Sequence, residues 1–119
     1  SVQRSGGMLV GGSDWDVSSL DPLEAIETLI RRQDPLTSDG DTLGNNEEID
    51  LDTALRAYTI NAAHVMSLDE ITGSITIGKR ADLIVLDQDL YTLPASAIND
   101  ARVLLTLVDG EEVYRHPEL

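Results

Sequence analysis

The residues best suited to chemistry follow a short apolar segment near the beginning of the sequence. Residues 8–12 read Met-Leu-Val-Gly-Gly, and Asp14 and Trp15 come within three residues of them, ahead of a helix start at Asp21. We expect a short buried strand from Met8 to Val10 that stops at the two glycines and presents Asp14 just beyond its carboxyl end. α/β barrels hold their catalytic groups at that end of a strand–loop–helix unit. Asp14 is therefore the first candidate functional residue.

The other polar side chains are weaker candidates for catalysis or metal binding. Ser13 does not lie in a Gly-x-Ser-x-Gly turn, and no histidine is placed to activate it as a nucleophile. The chain has two histidines, His64 and His116, whereas a catalytic metal site takes about three protein ligands. His64 falls on an expected helix, where a lone histidine is most simply a packed or surface residue. The spacing alone thus gives one candidate carboxylate and no complete site.

The composition excludes several classes of function. The 119 residues suffice for one ordinary domain, and the absence of cysteine excludes disulfides, thiolate metal sites and cysteine nucleophiles. Twenty-two acidic against eight basic residues give a formal charge of −14, which makes nucleic acid and anionic membranes poor partners. No apolar run approaches the ~20 residues of a membrane helix, and no signal peptide is visible, so we expect a cytoplasmic protein. The sequence begins only a few residues before a buried-type strand, which leads us to expect a piece of a longer protein.

Two helices are predicted in the first half of the chain. Asp21 can cap a helix from Pro22 to Gln33, with proline at its first position. Asp52 can cap a second helix from Thr53 to about Met66. Both segments carry apolar residues at helical spacing, which in the second are Leu51, Leu55, Tyr58, Ala62 and Val65.

An acidic, turn-rich segment separates these two helices. Asp39 and Asp41 are spaced like the first ligands of an EF-hand loop, with Gly44 at the sixth position and Asp50 at the twelfth. Leu43 falls on a ligand position, and no helix enters from the preceding residues. We therefore weigh incidental calcium binding against a solvated surface loop, which fits the composition better.

The second half of the chain has strand patterns. Ile75 and Ile77 alternate with polar residues, and residues 83–86 read Leu-Ile-Val-Leu, apolar on both faces as in a central strand. Val103 to Val108 predicts a further strand, which Asp109-Gly110 turns back into Glu111–Tyr114. We expect a small antiparallel module of three or four strands.

Five segments in this order resemble the carboxyl-terminal part of metal-dependent amidohydrolases. They are residues 12–15, 20–25, 54–63, 73–86 and 108–114. The Gly-Lys-x-Ala-Asp-Leu run with a closing Val-Asp-Gly hairpin is specific to that superfamily. Gly-Ser-Asp-Trp and Leu-Asp-Pro-Leu-Glu-Ala resemble the YtcJ-like branch, which includes N-substituted formamide deformylases.

The resemblance implies a fold of α/β plus β class. Residues 1–66 would be the last β/α unit of a TIM barrel with an outer helix. Residues 67–119 would be the carboxyl-terminal share of a small composite β-sandwich. Asp14 would bind a divalent metal, zinc, or act as general base toward the hydrolytic water, and Trp15 would bind substrate at the barrel mouth. The implied partners are a small-molecule substrate and the remainder of the same polypeptide.

One departure from the family limits this expectation. The family's His-x-His pair and further metal ligands have no counterpart here. We therefore expect a fragment of a hydrolase that cleaves amide or related non-peptide C–N bonds through a metal-activated water. By itself the fragment would be inactive and metal-free, and would self-associate through its open strand edges. The alternative is a non-catalytic, acidic, β-rich interaction or scaffold domain.

Overall fold

The computed structural model describes residues 2–34, 41–44 and 47–119. The described helices are α1 (Pro22–Arg31), α2 (Leu51–Ala57) and α3 (Ile60–Val65), and the strands are β1 (Leu83–Leu86), β2 (Val103–Val108) and β3 (Glu111–Arg115). Short 3-10 turns cover Gln3–Ser5 and Ala95–Ala97. Among these described segments, no helix has both the length and the apolar character needed to cross a membrane.

Helix α1 forms where the capping residues predict it. The Asp21 carboxylate accepts a hydrogen bond from the Leu23 amide at 2.9 Å, and the buried Leu23 and Ile26 face the core. The helix ends at Arg31, before the predicted Gln33, because Arg32 adopts a left-handed conformation with φ of 54°. Its N–H donates to the Thr28 carbonyl at 2.8 Å and closes the last turn.

The predicted single helix over 53–66 is wrong, because it breaks into α2 and α3. Thr59 leaves the helical conformation, and its hydroxyl donates to the Leu55 carbonyl at 2.7 Å. Such back-bonding by threonine competes with the helical pattern and bends helices. The predicted cap at Asp52 is also wrong. Asp50 caps α2 instead, since its carboxylate accepts from the Thr53 amide at 2.7 Å.

The three strands form one antiparallel sheet in the order β1-β2-β3. Asp109 and Gly110 both have positive φ, 53° and 83°, as a two-residue hairpin turn between β2 and β3 requires. The predicted antiparallel module and its hairpin are therefore confirmed. The central position expected for Leu83–Leu86 is wrong in the described part of the chain, because β1 pairs only with β2 and leaves Ile84 and Val85 exposed.

Two predicted strands do not form. Met8 to Val10 is not a strand, and both end residues are exposed rather than buried. Ile75 and Ile77 are also outside any strand, at 90% exposure and full exposure. Strands are held by hydrogen bonds to a neighbouring strand, and no described strand pairs with either segment. The calcium loop weighed in the sequence begins at Asp39, which lies outside the described residues, so calcium binding there stays a prediction.

A single apolar core joins the two halves of the chain. Helix α1 packs against α2 and against the segment between β1 and β2. The buried residues of the core are Leu23, Ile26, Ile49, Ala54, Leu90, Ile98 and Ala101. The structure is therefore a small mixed α/β arrangement with a three-stranded antiparallel sheet. The division at residues 66 and 67 stays a prediction, as does the barrel unit itself.

Candidate functional site

The segment that leads to Asp14 is held by the two short helices. The Gly11 N–H donates to the Ala57 carbonyl at the end of α2, at 3.0 Å. The Asn61 side-chain amide on α3 donates to the Leu9 carbonyl at 2.9 Å. These bonds take the place of the ladder expected for a strand, and they fix the point from which the Asp14 loop starts.

Three hydrogen bonds order the loop around Asp14. The Trp15 N–H donates to the Ser13 hydroxyl at 3.3 Å, and the Val17 N–H donates to the Asp14 carbonyl at 2.8 Å. The Ser18 hydroxyl donates to the Ser13 carbonyl. Asp14 itself has φ of 50°, a left-handed conformation that aspartate adopts more readily than most residues. The loop thus holds Asp14 in a defined backbone conformation.

The carboxylate of Asp14 is available for chemistry. The residue is exposed, and within the described part of the chain no ion pair or hydrogen bond engages its side chain. A carboxylate of this kind can accept a proton from a water molecule or contribute one oxygen ligand to a cation. The Ser13 hydroxyl accepts the Trp15 N–H and so takes part in the loop's own hydrogen bonds.

Trp15 projects from the same loop and is 66% exposed. A cleft of about 370 Å³ lies between residues 9–12, α1 and Tyr58, and neither Asp14 nor Trp15 lines it. Burial in this region raises the pKa of the Tyr58 hydroxyl. The substrate-binding role of Trp15 stays a prediction.

A metal site is not complete in the described residues, since no three His, Asp or Glu side chains converge there. His64 Nδ1 lies 3.0 Å from the Asp69 carboxylate, and this hydrogen bond lowers the pKa of Asp69. His116 Nδ1 accepts the Glu118 N–H at 3.2 Å. Neither histidine joins Asp14. One carboxylate does not fit a divalent metal by itself, which needs about three protein ligands.

Sequence reasoning missed a buried carboxylate, Glu27, which is 1% exposed on α1. It pairs with Arg31 one turn later and accepts the Asn99 amide at 3.1 Å, so it ties α1 to the segment before β2. The Glu–Arg spacing of four residues was the available signal. Glu27 therefore stabilises the packing of α1, and neither of its two partners lies in the loop around Asp14.

Asp82 likewise holds the β module together. Its carboxylate accepts the Asp109 N–H and the Thr72 hydroxyl, each at 2.8 Å. The Asp109 amide, more than the Thr72 hydroxyl, lowers the pKa of Asp82. The side chain fastens the β2–β3 hairpin to the loop before β1, and no candidate catalytic group lies among these partners.

The chain is similar to several known proteins. It is 39% identical over 98 residues to an N-substituted formamide deformylase from Arthrobacter pascens, covering 82% of this chain and 18% of that protein. It is 26% identical over 107 residues to the putative amidohydrolase YtcJ from Bacillus subtilis, covering 90% of this chain and 20% of that protein. A solved amidohydrolase from Thermotoga maritima matches with a TM-score of 0.68 at 23% identity, over 97% of this chain and 25% of that one.

These similarities confirm the predicted superfamily and branch. The solved structure shows a shared fold, and the chain spans about a fifth of the length of the curated relatives it matches. The sequence model of the amidohydrolase family covers residues 1–114, nearly the whole chain. The chain therefore belongs to the amidohydrolase family.

Proposed function

We propose that this chain is the carboxyl-terminal part of a hydrolase that cleaves amide or related non-peptide C–N bonds with water. The observation that carries the proposal is the carboxylate of Asp14, which no described residue engages and which an ordered loop holds in a chain of the amidohydrolase family. The similarity to an N-substituted formamide deformylase supports an N-substituted amide as substrate.

In this proposal Asp14 acts as the general base. Its carboxylate accepts a proton from the water whose oxygen bonds to the carbonyl carbon, and the carbon–nitrogen bond then breaks. The proton passes from Asp14 to the leaving nitrogen, which restores the carboxylate. A positioned carboxylate in this role contributes about 10²–10⁴-fold to a rate. Trp15 would supply an apolar surface for the nitrogen substituent.

We also propose that the complete enzyme binds a divalent metal, zinc, with Asp14 as one ligand. Amidohydrolases are generally metal-dependent. Since the described residues supply too few ligands, the others would come from the remainder of the polypeptide. The isolated 119-residue chain would be inactive.

The remainder of the polypeptide would also cover surfaces that the described chain leaves open. In this proposal residues 1–66 complete a TIM barrel and residues 67–119 complete a β-sandwich. The unpaired edge of β1 and the exposed Ile75 and Ile77 support this arrangement. The isolated chain would self-associate through the same apolar surfaces.

The proposal is tested with the complete gene product. It is incubated with N-alkylformamides and with N-alkyl amides of other acyl groups, and the released amine and carboxylate are measured. We expect equal amounts of the two products, loss of the activity after chelation and its recovery with zinc. Failure to hydrolyse any member of this panel, with or without zinc, would contradict the proposal.

A second candidate is a non-catalytic interaction domain, which the open edge of β1 and the charge of −14 favour. An exposed strand edge can pair with a strand of another chain. If the chain is an interaction domain, Asp14→Asn should leave the binding of its partner unchanged. If the complete gene product is a hydrolase, Asp14→Asn should abolish turnover of the amide substrate.

A further inference from the structure

We propose that Ser18 is a positioning residue for Asp14. Its hydroxyl closes the loop over residues 13–18 and thereby fixes the direction in which the Asp14 side chain leaves the backbone. The inference rests on the proposed function, in which that carboxylate accepts the proton of the attacking water. Ser18 acts in this proposal through the Ser13 carbonyl, to which its hydroxyl donates, and the residue also lines the cleft between residues 9–12 and α1, which Asp14 does not line.

The geometry places one hydrogen bond on each side of Asp14. The Ser13 carbonyl, which belongs to the peptide unit before Asp14, accepts from the Ser18 hydroxyl. The Asp14 carbonyl, which belongs to the peptide unit after it, accepts from the Val17 N–H at 2.8 Å. Because the orientations of these two planes define the backbone angles of Asp14, the two bonds together set the direction of its Cα–Cβ bond.

The conformation held in this way is an uncommon one. Asp14 has φ of 50°, a left-handed conformation that is uncommon outside glycine, although aspartate adopts it more readily than most residues. Neither bond uses the carboxylate. Both hydrogen bonds therefore hold the backbone of Asp14, and no described residue engages its side chain. This is expected for a residue whose side chain must reach a reacting water.

Loss of the Ser18 hydroxyl would release the peptide plane before Asp14. Misplacement of a catalytic group by about 1 Å can reduce a rate by about 10²-fold. Since partial loosening costs less than full misplacement, we expect Ser18→Ala to lower kcat by about tenfold. KM should change little, because Ser18 acts in this proposal through the Ser13 carbonyl. Ser18→Thr keeps the hydroxyl and should restore kcat.

The experiment uses the complete gene product with Ser18→Ala, Ser18→Thr and a matched control, Ser5→Ala. The Ser5 hydroxyl also donates to a backbone carbonyl, that of Val2 at 2.8 Å, but outside the Asp14 loop. The expected result is a lower kcat in Ser18→Ala alone, with wild-type values in the other two variants. Wild-type kcat in Ser18→Ala, or an equal loss in Ser18→Thr, would overturn the proposal.

A second measurement does not depend on activity. Trp15 is the single tryptophan of the 119-residue chain and lies in the loop. Its fluorescence anisotropy therefore reports the order of the loop when the variants are compared at the same sedimentation coefficient, because self-association also raises anisotropy. We expect lower anisotropy in Ser18→Ala than in Ser5→Ala or the wild type, and unchanged anisotropy in Ser18→Ala would count against the positioning role. An inactive Asp14→Asn beside a fully active Ser18→Ala would overturn this inference alone. A fully active Asp14→Asn would overturn the proposed function and this inference with it.

Discussion

Replacement of Gly11 by alanine tests how closely the segment before Asp14 packs on α2. A Cβ atom at Gly11 would lie 2.3 Å from Cε2 and 2.5 Å from Cζ of Tyr58. Carbon atoms pack at about 3.5–4.0 Å, so the ring must shift by about 1 Å or more. Otherwise the segment must leave α2 and break the 3.0 Å hydrogen bond from the Gly11 amide to Ala57.

Either response costs stability. Overpacking of a well-packed site costs about 1–3 kcal/mol, and loss of one hydrogen bond costs about 0.5–1.5 kcal/mol. We expect Gly11→Ala to lower the free energy of unfolding by about 1–3 kcal/mol. Gly12→Ala is the matched control, because a Cβ there meets no atom within 4 Å, and its effect should stay within about 0.5 kcal/mol. Urea denaturation of the 119-residue chain, followed by circular dichroism, gives both values.

A double-mutant cycle identifies the cause. In a Tyr58→Ala background the ring that the new methyl group meets is gone, so the added cost of Gly11→Ala should fall clearly below its cost in the wild type. Equal stability of Gly11→Ala and Gly12→Ala would refute the packing described here. So would an undiminished cost of Gly11→Ala after the ring has been removed.

Three further predictions concern the fold. Glu27→Ala should lower the free energy of unfolding by about 3–5 kcal/mol in urea denaturation, because it removes a buried carboxylate that binds the Asn99 amide and leaves its cationic partner unpaired. Ile98→Ala should cost about 2–5 kcal/mol in the same assay, since the side chain is almost fully buried. The Thr53 amide lowers the pKa of Asp50, so the stability from Asp50 is present above the ordinary aspartate pKa of about 3.9 and is lost as the pH falls through the lowered value. Asp50→Asn keeps a capping oxygen, and its thermal unfolding should depend less on pH between about 5 and 2. Unchanged stability in Glu27→Ala or Ile98→Ala would contradict the role given to that side chain. A wild-type pH dependence of thermal unfolding in Asp50→Asn would contradict the role given to the Asp50 carboxylate.

The sequence predicted correctly those elements whose conformation is set by contacts between neighbouring residues. Helix α1 follows from Asp21 and Pro22, whose capping and fixed φ act within one turn. The β2–β3 hairpin follows from Asp109-Gly110, because few other pairs accept two positive φ angles. In both cases the residues that set the conformation are adjacent in sequence, so the pattern was sufficient.

Elements that need distant partners were predicted less well. The apolar residues 8–10 have a strand pattern, but their backbone is held by α2 and α3, and a pattern does not specify which donors will reach it. The break between α2 and α3 was missed for a different reason. The bond from the Thr59 hydroxyl to the Leu55 carbonyl is local, but a threonine at helical spacing does not by itself predict a break. At the candidate site, the role of Asp14 stays a prediction, and nothing in the sequence indicated the Ser18 bond that orders its loop.

The role of Asp14 is tested most directly by comparing two neighbouring carboxylates in the complete gene product. Asp14→Asn removes the proposed base, and Asp16→Asn removes an equal charge two residues away in the same exposed loop. The measurement is kcat for hydrolysis of the best amide substrate. We expect a loss of about 10²–10⁴-fold in Asp14→Asn and a wild-type rate in Asp16→Asn. Wild-type turnover in Asp14→Asn, or an equal loss in both variants, would contradict the role assigned to Asp14.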